Sequence, residues 1–110
     1  MEKDMIADIL GYLDDNFQED LGEVQKFMRL KSISATGEGI RETAEAVKDM
    51  IIRAGGTSEL LETLGNPIIY GRMDEGADYT LLIYSMYDVL PAEEEDWISD
   101  PWMAKIHPFR

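Results

Sequence analysis

The residues best placed to do chemistry stand together in Ser85-Met86-Tyr87-Asp88-Val89-Leu90-Pro91. Asp88 follows closely on the apolar run Tyr79-Thr80-Leu81-Leu82-Ile83-Tyr84, and in open α/β sheets ligands bind beyond the carboxyl ends of the strands. A carboxylate there can carry a proton or serve a metal centre. It can equally cap its own turn by hydrogen-bonding the backbone that follows. His107 is the only histidine; one imidazole without neighbouring donors makes no zinc site, so it reads as a surface residue. Trp97 and Trp102 could line a substrate pocket or pack their loop onto the core, while Met28, Met50 and Met73 read as core fillers. The chain has no cysteine, which excludes disulfides, thiolate zinc sites and thiol nucleophiles.

The elements that must position these residues follow from periodicity. Met5, Ile6, Ile9, Leu10, Leu13 and Phe17 share one helical face, and Leu21, Val24, Phe27, Met28 and Leu30 continue the period, with the join near Gly22 left open. Ser32 to Gly39 is small, polar and glycine-bearing, and reads as a loop. Ile40, Ala44, Val47, Ile51 and Ala54 predict a further helix that Gly55-Gly56 ends. Leu60, Leu61 and Leu64 lead into a turn at Gly65-Asn66-Pro67, and Ile68-Ile69-Tyr70 forms a second extended piece. The run from Tyr79 to Tyr84 lacks polar alternation, as a strand buried on both faces does in a parallel sheet covered by helices. The expected class is therefore α/β, with helices followed by a mixed, largely parallel sheet in a partial αβα layered domain. The cluster Glu93-Glu94-Glu95-Asp96 reads as a solvated loop.

Length and charge narrow the field. At 110 residues, 45% of them hydrophobic and 30% charged, the chain has the composition of a globular protein of one domain. A formal charge of −13 with no basic stripe repels phosphate backbones, so nucleic acid is not an expected partner. No apolar run approaches the roughly 20 residues of a spanning helix, so no membrane association is expected. Met1-Glu2-Lys3-Asp4 lacks the basic flank and long apolar stretch of a secretory signal, and a cytoplasmic location is expected.

Residues 81–92, Leu-Leu-Ile-Tyr-Ser-Met-Tyr-Asp-Val-Leu-Pro-Ala, followed by Asp96-Trp97-Ile98-Ser99-Asp100-Pro101-Trp102, closely resemble the first active-site segment of the zinc-dependent aminoacylase, dipeptidase and deacetylase superfamily. That family includes carnosinase-like dipeptidases, acetylornithine deacetylase and succinyl-diaminopimelate desuccinylase. Its usual pattern is an apolar strand, then Gly-His-Tyr-Asp-Val-Gln-Pro, then an acidic stretch and Trp-x-Ser-Asp-Pro-Phe. The Pro-Ala, the Glu-rich run and the Trp-x-Ser-Asp-Pro ending most resemble the dipeptidase branch. Leu30-Lys31-Ser32-Ile33-Ser34 resembles the family's loop after its first helices, and Ile40 to Gly55, with Arg41 and Ala44, resembles its next helix. The resemblance runs from about Leu13 to Phe109.

The resemblance implies that the chain is the N-terminal part of a metallopeptidase catalytic domain, without the smaller lid or dimerisation domain. In the family the His of His-x-Asp binds the first zinc, and the Asp orients it, as carboxylates often do for metal-bound imidazole. Asp88 matches that Asp and is the candidate catalytic-site residue. Met86 stands at the metal-ligand position, and Ser85 and Leu90 replace the usual Gly and Gln. A thioether is a soft, uncharged donor better suited to copper(I) than to zinc. The family's bridging Asp, its Glu-Glu pair and its final His have no counterpart in these 110 residues, whereas catalytic zinc takes three protein ligands plus water. The implied parent hydrolyses peptide or N-acyl amide bonds of small amino-acid derivatives with zinc. The isolated chain is expected to be inactive and to bind no metal. The alternative is a non-catalytic α/β module that lost the ligand His and now only binds a partner or small molecule. Leaving an apolar strand with one edge unpaired also predicts self-association.

Overall fold

The computed structural model describes residues 2–108. Helix α1 spans Glu2–Met28 and helix α2 Ile40–Arg53; strands β1, Thr57–Leu61, and β2, Ile68–Arg72, follow. Short 3-10 turns occupy Glu94–Asp96 and Pro101–Met103. The two helical stretches expected before Leu30 are one continuous helix. Gly11 and Gly22 each cost roughly 0.5–1 kcal/mol relative to alanine inside a helix, a penalty that weakens α1 without breaking it. Acidic residues in its first turn and Lys26 in its last complement the helix dipole.

The loop from Ser32 to Gly39 is closed by its own backbone. The Ile33 N–H donates to the Glu38 carbonyl at 2.9 Å and the Gly37 N–H to the Ile33 carbonyl at 2.8 Å. Gly37 and Gly39 take φ of 79° and 72°, in the left-handed region that a side chain disfavours. At Gly39 the requirement is twofold, because a Cβ would also overlap the Lys31 carbonyl. The loop then enters α2, where the Thr43 hydroxyl donates back to the Gly39 carbonyl at 2.8 Å. Helix α2 ends as its apolar period indicates, with Gly55 at φ 97° just beyond the cap.

Strands β1 and β2 pair antiparallel from Thr57 opposite Arg72 to Leu61 opposite Ile68. The fold is α/β, but its sheet among the described residues is this antiparallel hairpin, and the largely parallel sheet does not form. The connection through Gly65-Asn66-Pro67 is far too short for a parallel crossover, which takes a dozen or more residues. Helix α2 packs on the hairpin, with the Ile51 side chain so close to Gly71 that a Cβ there would have to displace it. The core is small: Ile33, Ile40 and Ala44 are its buried hydrophobic residues, with Ser32 and Thr43 beside them. Met28, Met50 and Met73 are exposed and do not fill it.

The largest departure lies at residues 79–84. This stretch is extended but belongs to no strand, and its hydrophobic side chains are 79–92% exposed, so the doubly buried strand is not what forms. No other segment among the described residues runs beside it to supply ladder partners or a covering face. Helix α1 likewise buries none of its residues. Its C-terminal part touches the 3-10 turn at Pro101–Met103 through Gln25 Nε2, which donates to the Ala104 carbonyl at 2.9 Å, and Arg29 Nε, which donates to the Met103 carbonyl at 3.0 Å. No described helix is long and apolar enough to cross a membrane.

Candidate functional site

The residues after the extended stretch are fixed one by one. The Tyr87 hydroxyl donates to the Pro67 carbonyl at 2.7 Å. The Asp88 carboxylate accepts from the Ser34 hydroxyl at 2.8 Å, and the Val89 N–H donates to the Ser32 carbonyl at 2.7 Å. Ile33, between the two serines, forms an isolated parallel bridge with Val89. Three consecutive residues are thus tied to two different parts of the molecule, the hairpin turn and the glycine-shaped loop. That loop is held in shape by Gly37 and Gly39, so the conformation needed at Gly39 is transmitted to the carboxylate of Asp88.

Asp88 does not cap its own turn. It is exposed and takes its hydrogen bond from a residue 54 positions earlier. Met86, two residues before it, is 75% exposed. Ser85 Oγ donates to the Met86 carbonyl at 3.4 Å, and Leu90 is exposed. Burial pushes the Tyr87 phenol above its ordinary pKa, with the Asp88 and Glu62 carboxylates adding to the rise and the Arg41 guanidinium opposing it. Arg41 grips Glu62 with one terminal nitrogen at 2.8 and 2.9 Å to the two carboxylate oxygens. This hydrogen bond, and then the charge of Glu62, hold Arg41 above the ordinary guanidinium value.

A cavity of about 300 Å³ opens behind Tyr87. Phe27, Leu30, Tyr87, Val89, Trp97 and Trp102 are among the residues of its wall, so both tryptophans line a pocket, although Trp97 remains 58% exposed. The Asp100 carboxylate shapes this wall by accepting from the Trp102 N–H at 2.8 Å. The Lys31 ammonium lies 5.4 Å from the centroid of the Trp102 ring, within cation–π range. His107 is exposed, and its Nε2 lies 2.8 Å from Ser99 Oγ. The acidic run at 93–96 is exposed, as its composition indicates.

These residues do not fit a zinc ion by themselves. Catalytic zinc takes three donors from imidazole, thiolate or carboxylate, and among the described residues no three His, Asp or Glu side chains come together. Met86 offers a thioether beside a single carboxylate. Ser34 and the Arg41–Glu62 pair were not marked by local sequence as part of this region; their partners lie far away in the chain, and no spacing rule connects them.

No family model matches the chain, and no curated protein matches it. Among solved structures, the chain is similar to an M20 family metallo-carboxypeptidase, Sso-CP2 from Sulfolobus solfataricus, with a TM-score of 0.77 and 40% identity over 81% of this chain. The chain spans 21% of that protein's length. The similarity supports a superfamily of metallopeptidase type. It does not single out the carnosinase-like branch.

Proposed function

We propose that these residues form part of the catalytic domain of a zinc-dependent peptidase or amidase, in which Asp88 stands at the mouth of the metal site and the metal donors come from elsewhere in a larger catalytic unit. The carrying observation is the 40% identity and TM-score of 0.77 to a metallo-carboxypeptidase. The resemblance of residues 81–101 to the dipeptidase branch supports a small peptide or N-acyl amino acid as the substrate of that unit. In it the chain's own contribution is positional: Ser34 fixes the Asp88 carboxylate, the Pro67 carbonyl holds the Tyr87 hydroxyl before it, and the Ser32 carbonyl holds the Val89 N–H after it. The 110-residue chain alone is inactive, because a metal-bound water needs a ligand set that its single histidine cannot supply.

Metal analysis tests this. Purified chain dialysed against zinc should retain far less than one ion per molecule, and Met86→His should raise the affinity by restoring imidazole beside Asp88. Stoichiometric zinc on the unmodified chain would sink the incomplete-site reading. An unchanged affinity in M86H would detach position 86 from any metal role. That second result would favour a non-catalytic binding module, the reading to which the exposed thioether of Met86 already lends weight.

A further inference from the structure

We propose that residues 97–104 are a strap that the C-terminal part of α1 fastens over the cavity behind Tyr87, and that fastening it holds Val89 on Ser32 and so sets the carboxylate of Asp88. Gln25 and Arg29 are then positioning residues for Asp88, acting through the strap. Every contact involved joins described residues of this chain. The inference is therefore independent of the metallopeptidase reading and of whatever covers residues 80–84 or residues 5–17 of α1.

The strap has little structure of its own. Its backbone hydrogen bonds are the short ones that close the two 3-10 turns, such as the Met103 N–H donating to the Asp100 carbonyl at 3.2 Å. Among the described residues from 93 onward, two hydrogen bonds alone reach the rest of the chain: Gln25 Nε2 to the Ala104 carbonyl and Arg29 Nε to the Met103 carbonyl. Gln25 and Arg29 stand one helical turn apart, so their side chains leave the same face of α1. They meet two successive carbonyls there. One belongs to Ala104, which takes φ 50° and ψ 44° and is the only described non-glycine residue with positive φ. A left-handed alanine persists where its surroundings over-determine it, and such positions gather at clamps and switches. Here the clamp is Gln25.

What the strap covers lies next to Asp88. Trp97, Pro101 and Trp102 bring the strap into the cavity wall, and Tyr87 and Val89 bring in the segment that carries Asp88. The strap also meets the loop that holds the carboxylate. The Lys31 ammonium lies over the Trp102 ring, 5.4 Å from its centroid, and 3.7 Å from Glu38 Oε1. The Lys31 backbone leads directly into Ser32, whose carbonyl accepts from the Val89 N–H at 2.7 Å, and on to Ser34, whose hydroxyl donates to Asp88 at 2.8 Å. Ser32 and Ile33 are buried, so this stretch has little room to move apart from its neighbours.

A packed series of contacts thus runs from two donors on α1 to the Asp88 carboxylate. Lifting the strap takes the ring from Lys31 and the cover from Val89 together. Water then reaches the Ser32–Val89 hydrogen bond, which opens locally without unfolding of α2 or the hairpin.

Nuclear magnetic resonance of the 110-residue chain reads both ends of this device. The Lys31 ε-protons adjoin the ammonium that stands over Trp102, and the ring current moves them upfield while the strap is closed. Exchange of the Val89 amide with solvent reads the far end. Gln25→Glu combined with Arg29→Met removes both donors while keeping long side chains that favour a helix. In that variant the Lys31 shift should be lost and the Val89 amide should exchange about tenfold faster, with amides inside α2 unchanged. Ala104→Gly relieves the left-handed alanine and should do the reverse, keeping the Lys31 shift and slowing exchange at Val89. That second variant leaves α1 intact and decides the matter even if Q25E/R29M misfolds. A Lys31 shift retained in the double variant, a Val89 amide whose exchange is unchanged once that shift is lost, or exchange at Val89 that A104G does not slow overturns the proposal.

Discussion

Tyr87 shows how much one side chain carries in a molecule with so small a core. Its hydroxyl ties the 87–89 segment to the hairpin turn by donating to Pro67, and burial raises its pKa above 10.0. A phenol whose folded pKa exceeds its unfolded value binds its proton more tightly in the folded state. Its contribution is fully present below pH 10 and is lost as pH rises through the folded pKa. Tyr87→Phe should therefore cost about 1 kcal/mol at pH 7 and flatten the loss of stability as pH rises above the ordinary phenol range, both read from urea titrations. An identical alkaline decline in Y87F would assign that decline to the other tyrosines. At this scale the sequence reading placed Asp88 after an extended apolar run and left it open between a chemical role and a cap on its own turn; the structure gives its carboxylate a partner that neither named, Ser34. A capping carboxylate and one held by Ser34 look alike in sequence, since what separates them is a contact across 54 residues.

Among the elements, those specified by local chemistry were legible and those specified by neighbours were not. Helix α2 ends at Arg53 beside the glycine pair, and β1 and β2 flank the Gly65-Asn66-Pro67 turn, because period, left-handed glycines and turn residues act within a few positions. The stretch from Tyr79 to Tyr84 has the composition of a buried strand, yet burial requires partners that composition alone cannot provide. The glycines sharpen the same contrast. Gly39→Ala should destabilise by about 3 kcal/mol or more, since it combines a left-handed φ with overlap on the Lys31 carbonyl. In α1, Gly11→Ala meets open space and should stabilise the helix by about 0.5–1 kcal/mol. Thermal melts followed by circular dichroism compare the two; equal effects would mean that the 32–39 loop does not depend on Gly39.

The whole molecule is two parts of unequal firmness. Helix α2, the hairpin and the loop that holds Asp88 share the buried residues, while α1 and residues 79–86 bring apolar surface that the single chain leaves in water. The slope of stability against urea scales with surface newly exposed on unfolding. For the monomer at low salt that slope should fall at or below about 1 kcal/mol/M, the lower end for small proteins. A steep slope in dilute, low-salt solution would indicate a larger core than Ile33, Ile40 and Ala44 provide.

The wall of the cavity behind Tyr87 has an optical consequence. Trp97 and Trp102 are the only tryptophans in the chain, and both sit in that wall, where Lys31 stands over one ring and the adjoining 3-10 turn meets the C-terminal part of α1. Tryptophan emission from this protein therefore reports the docking of the 97–103 segment, whereas far-ultraviolet ellipticity is dominated by the two helices. The two signals follow separate events, and their failure to coincide would trace the order in which the parts come undone.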